Sequence, residues 1–351
     1  MNSEGSKPPR RIRYKGTHPK TFREKYKEHN PERYGEELEK ALKKGRTPAG
    51  MHRSICVDEI IEFLHVQPGQ TGLDATLGYG GHSVEILKRL EPGGKLYALD
   101  VDPIELPKTK ERLALLGYGD AIFHPWKMNF SDIDRVVAES GPLHFILADL
   151  GLSSMQIDNP ERGFFLKDDG PLDLRLNPQS GKSAAKMLQS VKQEKLEEIL
   201  AENADEPYAG VIAEAILDAR DRGQSPETTN QLKDIIADAM RFVAEKDRAD
   251  LVKKTSQRVF QALRIEVNDE FGVLEKFLSK LPDALLPGGR VAILTFHSGE
   301  DRRVKKAFQL YFREGIFSEV APEPIRPSAE EIYNNPRARS AKLRWGIAGH
   351  S

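Results

Sequence analysis

The run Asp74-Ala75-Thr76-Leu77-Gly78-Tyr79-Gly80-Gly81-His82-Ser83 decides the fold, because its three glycines stand between a strand-like approach and a helical continuation. Gly72 to Thr76 reads as the end of a strand, and Ser83 to Leu90 resumes helical spacing. A glycine turn directly after the first strand of an open α/β sheet brings backbone close to a ligand and sets the next helix N-terminus beside it. Phosphate is the first ligand to weigh. The run lacks the Gly-Lys-Ser/Thr ending of a triphosphate-binding loop, and its Gly-Tyr-Gly-Gly-His order is not the dinucleotide Gly-x-Gly-x-x-Gly. Both ligands are therefore disfavoured.

Outward from the turn, Lys95-Leu96-Tyr97-Ala98-Leu99-Asp100 reads as a second strand, Ala121-Ile122-Phe123 as a third and Phe145-Ile146-Leu147-Ala148-Asp149-Leu150 as a fourth. Asp100 ends the second, where a carboxylate accepts the ribose hydroxyls of an adenosine. A ribose without an obligatory phosphate fits S-adenosylmethionine, with Asp74 near its amino-acid end and Gly78, Gly80 and Gly81 in the turn. Strands alternating with helices imply a mostly parallel sheet, so the expected fold is an α/β, class I (Rossmann-like) methyltransferase sheet. Between about residues 158 and 254 the alternation breaks. No good strand is found there, and Leu232, Ile235, Ile236, Ala239, Met240 and Val243 share one helical face. Val291-Ala292-Ile293-Leu294-Thr295-Phe296 then resumes the strands. The expected organisation is a basic extension over 1–50, a methyltransferase domain over 51–157 and 255–351, and an all-helical insert over 158–254.

Composition narrows the function. The chain of 351 residues has a formal net charge of -1, which excludes a globally basic nucleic-acid binder, so any such surface must be local. Residues 1–50 supply one candidate, with fourteen Lys or Arg against seven acids and interleaved Tyr14, Phe22, Tyr26 and Tyr34. A solvated tail is the equal alternative. Cys56 is the single cysteine, so no intrachain disulfide forms, and without a Cys/His cluster no metal is expected. No apolar run is long enough to span a bilayer and no signal peptide is read at the start. A reducing cytoplasm is the simplest setting.

The quoted run, with Asp149-Leu150-Gly151-Leu152-Ser153-Ser154-Met155-Gln156-Ile157-Asp158, Arg162-Gly163-Phe164, Asp169 to Leu176, Phe260-Gln261-Ala262-Leu263-Arg264-Ile265, Phe296-His297-Ser298 and Asn335 to Ser340, resembles the MraW/RsmH methyltransferase family. The resemblance extends over about residues 52–345. It implies methylation of the exocyclic N4 of a cytidine in the decoding region of 16S rRNA in the small ribosomal subunit, with S-adenosylmethionine as donor and a helical insert in the sheet domain. Carried over, its cofactor contacts fall on Gly80, Gly81, His82, Asp100, Phe130, Asp149 and Gln156. Departures are present: Lys253-Lys254-Thr255-Ser256 stands where His-Pro-Ala-Thr is expected, Gly299 replaces a leucine, and Pro125-Trp126-Lys127-Met128 reads as a lengthened loop before Phe130.

Asp149 is the first candidate acceptor for the reacting amine, or else a cofactor ligand; His297, after the last strand read, is the second catalytic candidate. For His82 a ligand contact and a helix-start residue satisfied by backbone are equal alternatives. Arg175, Lys253, Lys254, Arg258, Arg264, Arg337 and Arg339 are candidate RNA phosphate partners, against ion pairing or a solvated face. A dinucleotide oxidoreductase and a non-catalytic ribosome-binding protein remain as competing classes. A homodimer stays open.

Overall fold

The computed structural model describes residues 54–164, 166 and 168–349; the basic extension over 1–50 lies outside them. Apolar strand interiors build the centre. Leu96 to Leu99, Phe145 to Ala148 and Val291 to Leu294 are buried throughout, which in a parallel sheet requires helices on both faces. The strands are β1 (Thr71–Asp74), β2 (Lys95–Asp100), β3 (Phe123–Lys127), β4 (Leu143–Asp149), β5 (Leu285–Thr295), β6 (Phe317–Val320) and β7 (Lys342–Ala348). They form one sheet of order β3-β2-β1-β4-β5-β7-β6. β1 to β5 run parallel, whereas β7 is antiparallel to both its neighbours.

Three strand readings need correction. The third strand is Phe123–Lys127 rather than 121–123, so Pro125, Trp126 and Lys127 are strand and not loop. β3 is the sheet edge, where a proline's missing N–H breaks no ladder. β5 begins at Leu285, six residues before Val291. β6 and β7 were not read at all, because Lys342 and Arg344 make the β7 stretch look like surface. Both cations in fact pair with Asp301, at 2.7 and 2.6 Å, and Arg344 is buried.

Helices α1 (Val57–Leu64), α2 (Gly81–Leu90), α3 (Glu105–Leu115) and α4 (Ile133–Ser140) accompany the first four strands. α1 buries Val57, Ile60, Ile61 and Leu64, the residues whose spacing marked it. Between β4 and β5 the described elements are all helical: α5 (Ser154–Asp158), α6 (Ala184–Leu188), α7 (Gln193–Ala204), α8 (Ala209–Asp221), α9 (Thr229–Ala239), α10 (Glu245–Asn268) and α11 (Glu270–Ala284), with a short 3-10 turn at Pro160–Arg162. α12 (Ser298–Arg313) and α13 (Ala329–Asn334) follow β5 and β6. On α9, Leu232 and Ile236 are fully buried, and Met240 just past its end is too. Residue 254, where the insert was expected to stop, lies inside the continuous α10. Side chains from Leu172 to Leu263 form their own apolar cluster, separate from the two that sandwich the sheet. No helix among the described residues is long and apolar enough to cross a membrane.

Candidate active site

β1 pairs with β2 on one side and β4 on the other, so Asp74, Asp100 and Asp149 end three adjacent strands at one edge. A cavity of about 770 Å³ opens there, within the range of small-molecule sites. One wall is the quoted turn. Gly80 N–H donates to Leu77 O at 2.7 Å, Thr109 Oγ1 on α3 donates to Gly78 O at 2.7 Å, and Gly78 N–H donates to Asp100 Oδ2 at 2.9 Å. The turn is thus held from behind by α3 and from the side by β2.

The glycines serve a packing reason besides the one expected. Gly80 and Gly81 were read as keeping side chains off a ligand. A Cβ on Gly81 would lie 2.0 Å from Ser54 Oγ, and Gly80 has a φ of +80° with Thr109 and Leu113 3.0 Å from its would-be Cβ. They let the turn pack on the protein itself. Asp74 is likewise corrected as a ligand contact. It is buried, accepts from Thr76 N–H (3.1 Å) and Ser83 Oγ (2.6 Å), and does not line the cavity. It ties the turn to the first turn of α2.

The other candidates meet. Gly78, Gly80, Gly81, His82, Asp100, Phe130, Asp149 and Gln156 all line the cavity. Burial pushes the Asp100 carboxyl up to about 6, although it accepts from the N–H groups of Asp102 and Gly78. Burial also pushes Asp149 up to about 6, against the pull of His82. Asp149 Oδ2 lies 3.5 Å from His82 Nδ1, while its Oδ1 is buried with no hydrogen-bond partner. An acceptor left in that state is one a ligand would satisfy. His82 Nε2 sits 3.0 Å from Ile55 O, so of the two alternatives weighed for it the structure supplies the backbone partner. Phe130 presents its ring edge-on to Phe277, with centroids 5.1 Å apart.

Gln156 is less free than expected. Its Oε1 accepts from Ser153 N–H at 3.0 Å in a capping box and its Nε2 donates to Asp102 Oδ2 at 2.8 Å. Asp102 was not singled out from the sequence, and Arg162, quoted there in a motif, was given no partner. Asp102 is fully buried, caps α3 through the N–H groups of Ile104 and Glu105, and receives Arg162 Nη1 at 2.8 Å. Arg162 Nη2 reaches Leu176 O at 2.7 Å and Arg175 O at 3.2 Å. The only sequence signal was an acid two residues beyond Asp100.

The opposite wall comes from α10, α11 and the start of α12. Arg264, a phosphate candidate, is held within the cavity wall: its Nε and Nη2 donate to Glu270 at 2.7 and 2.9 Å. Glu300 accepts from Phe296 N–H at 2.8 Å and lies 3.2 Å from His297 Nε2; the nearby histidine and arginine hold its carboxyl below the usual range despite burial. His297, Glu270 and Glu300 present ligand atoms within 4.8 Å of one another, the one such group among the described residues. The Arg264 guanidinium already supplies a cation to it.

Of the remaining basic candidates, Arg175 grips Asp173 through two nitrogens at 2.7 and 2.6 Å, the ion pair weighed against a phosphate contact. Arg258 lies 3.8 Å from buried Glu206, Lys254 pairs with Asp250 at 2.7 Å, and Arg337, on the cavity wall, pairs with Asp158 at 2.6 Å. Lys253 and Arg339 are exposed.

The sequence profile of the MraW methylase family matches residues 49–347. The ribosomal RNA small subunit methyltransferase H 2 of Alkaliphilus metalliredigens is 61% identical over 347 residues, covering 99% of each chain. Methyltransferase H 1 of Lachnoclostridium phytofermentans is 60% identical over 96% of this chain and 92% of its own. An rRNA methylase structure from Streptococcus thermophilus overlaps 84% of this chain and 94% of its own at a TM-score of 0.39 and 14% identity, so the weight rests on the sequence relatives. With its parallel sheet, its glycine turn and near-full-length relatives at this identity, the chain belongs to the MraW methylase family.

Proposed function

We propose that the protein transfers a methyl group from S-adenosylmethionine to the exocyclic N4 of a cytidine in 16S rRNA of the small ribosomal subunit, in the cytoplasm. The observation that carries this is the unpartnered, buried Asp149 Oδ1 in a cavity whose two walls differ in chemistry. The turn side, with Asp100 for ribose hydroxyls and Phe130, Met128 and Leu99 for a flat apolar base, fits an adenosine-containing donor. When bound, that donor supplies a methyl group on a positively charged sulfur.

Asp149 then has the central task. A cytosine amine is a poor nucleophile because its lone pair is delocalised into the ring. An acceptor for one of its N–H bonds favours the pyramidal form, and the unpartnered Oδ1 of Asp149 at the end of β4 supports that role, its other reading being a contact to the donor. Asp149 is also suited to take the proton that the amine loses once it is methylated. His297 and Glu300 border the other wall, where the target base enters. Most of the rate comes from alignment of the reacting atoms, so the rigid hydrogen bonding of the turn matters more than any strong base. The base must be splayed from its neighbours to enter. In this reading the sheet portions, 51–157 and 255–351, hold the donor, and the helical portion over 158–254 recognises RNA. Lys253, Arg337 and Arg339 are the basic candidates best placed to contribute.

The test is nucleoside mass spectrometry of small-subunit RNA from cells with and without the protein, paired with tritium transfer from labelled donor in vitro. One N4-methylcytidine signal should vanish, and Asp149→Ala should lower kcat by about 10²-fold or more. RNA that keeps that signal in its absence overturns the proposal.

A further inference from the structure

Helix α12 starts immediately after His297, which lines the cavity, and runs for sixteen residues, roughly 24 Å. Its two acids in the first turn, Glu300 and Asp301, are buried. Glu300 is engaged by Phe296 N–H and Asp301 by Lys342 and Arg344. The outer face is different. Arg302, Lys305, Lys306, Gln309, Phe312 and Arg313 are all exposed, and at 3.6 residues per turn they fall in a stripe about 120° wide. No carboxylate of the helix lies on it. Arg302 has a distant partner in Asp205 at 3.8 Å; among the described residues Lys305, Lys306 and Arg313 are in no ion pair. Phe312, at 51% exposure, is one of few large apolar side chains the described surface shows.

In a chain of net charge -1, this face carries charge of one sign only, with the half-exposed Phe312 among the cations. Cations spaced along a line with an aromatic face among them are what binds single-stranded nucleic acid, by phosphate attraction and base stacking. We propose that this face of α12 is a docking track for the single-stranded RNA that flanks the target nucleotide, leading from the cavity wall outward. The track rests on the reading of RNA as substrate. It adds a continuous surface to the scattered basic residues Lys253, Arg337 and Arg339.

The test compares the wild type with a Lys305→Gln, Lys306→Gln, Arg313→Gln triple variant and with Phe312→Ala. Each is assayed for binding to a small-subunit RNA oligonucleotide of about thirty nucleotides over a salt series. All four positions are exposed, and thermal melting checks that the fold is kept. The triple variant should bind roughly tenfold more weakly, with a log-log salt slope smaller by about 2, because each lost phosphate contact on a single strand removes about 0.7. Phe312→Ala should weaken binding about 5- to 100-fold and leave the slope unchanged. Donor affinity and kcat at saturating RNA should stay at the wild-type level in both. Wild type that binds RNA alongside a triple variant of equal affinity and slope overturns the track and leaves the substrate reading standing. Weakened binding to assembled subunits without weakened binding to the oligonucleotide also overturns it, in favour of a protein partner. Wild type that neither binds nor methylates RNA removes the substrate reading, and the track with it.

Discussion

The two walls of the cavity are built by opposite means. On the turn side, the backbone of one short run is fixed by hydrogen bonds: Gly78 N–H to Asp100 Oδ2, Gly80 N–H to Leu77 O and Thr109 Oγ1 to Gly78 O. On the helical side, side chains hold one another, Arg264 on Glu270 and His297 beside Glu300. A wall made of backbone presents one fixed shape, which suits a constant small donor. One made of paired charges can be retuned by substitution, which suits a target that must be discriminated.

The strongest test of this contrast is Arg162→Met, because Arg162 touches both sides, bonding Asp102 behind the turn and the carbonyls of Arg175 and Leu176 in the loop that enters the helical portion. Removing one partner of a buried pair leaves the other charge stranded, so a loss of about 3–5 kcal/mol in denaturant unfolding is expected. Donor affinity and RNA KM should both worsen. If only one changed, the walls would be independent there and the join misplaced.

Next is Gly81→Ala, which meets Ser54 Oγ at 2.0 Å and should cost about 1–3 kcal/mol by overpacking. Its effect should fall on donor affinity, measured by calorimetry, with RNA binding by the donor-free protein unchanged. Ser54→Gly in the same chain should restore it.

The third expectation concerns pH and the two acids pushed up to about 6, Asp100 and Asp149. Their folded values lie above the unfolded value, so between about pH 4 and pH 6 the folded chain holds more protons and its stability falls as pH rises through that window. Donor affinity should run the other way. Protons compete with a cationic ligand for these carboxylates, so affinity should weaken by up to about tenfold per pH unit below pH 6. A flat profile between pH 5 and pH 7 would remove both acids from donor binding. The smallest effect belongs to Lys254→Gln, whose pair with Asp250 is exposed: a stability change under about 0.5 kcal/mol is expected in thermal melts.

The same contrast explains what was legible in the sequence. The turn, its flanking strands and Asp100 could be read because each is local: glycines interrupt a periodicity, and an acid ends an apolar run. The helical side could be located by the loss of strand alternation, but its pairings could not. Nothing in the spacing of Arg264 told that Glu270 would bind it rather than a phosphate, and Asp102 is joined to Arg162 across sixty residues. β7 failed for a related reason: Lys342 and Arg344 looked solvent-facing until Asp301 was placed beside them. Gly81 was recognised as necessary, yet the atom it makes room for, on Ser54, belongs to a segment that no local pattern connects to it.

The three apolar clusters share no side chain: those enclosing the sheet draw nothing from residues 151–273, and the helical one is built from buried residues between Leu172 and Leu263, with Phe164, Leu166 and Val267 packed against it. This separation has an evolutionary consequence. A substitution inside the helical cluster is absorbed by its own neighbours and imposes no repacking on the strands that hold the glycine turn. Under the proposed function, substitutions can accumulate in the helical cluster while the strands behind the glycine turn keep their packing, and the polar joint at Arg162 is where the two parts must stay compatible.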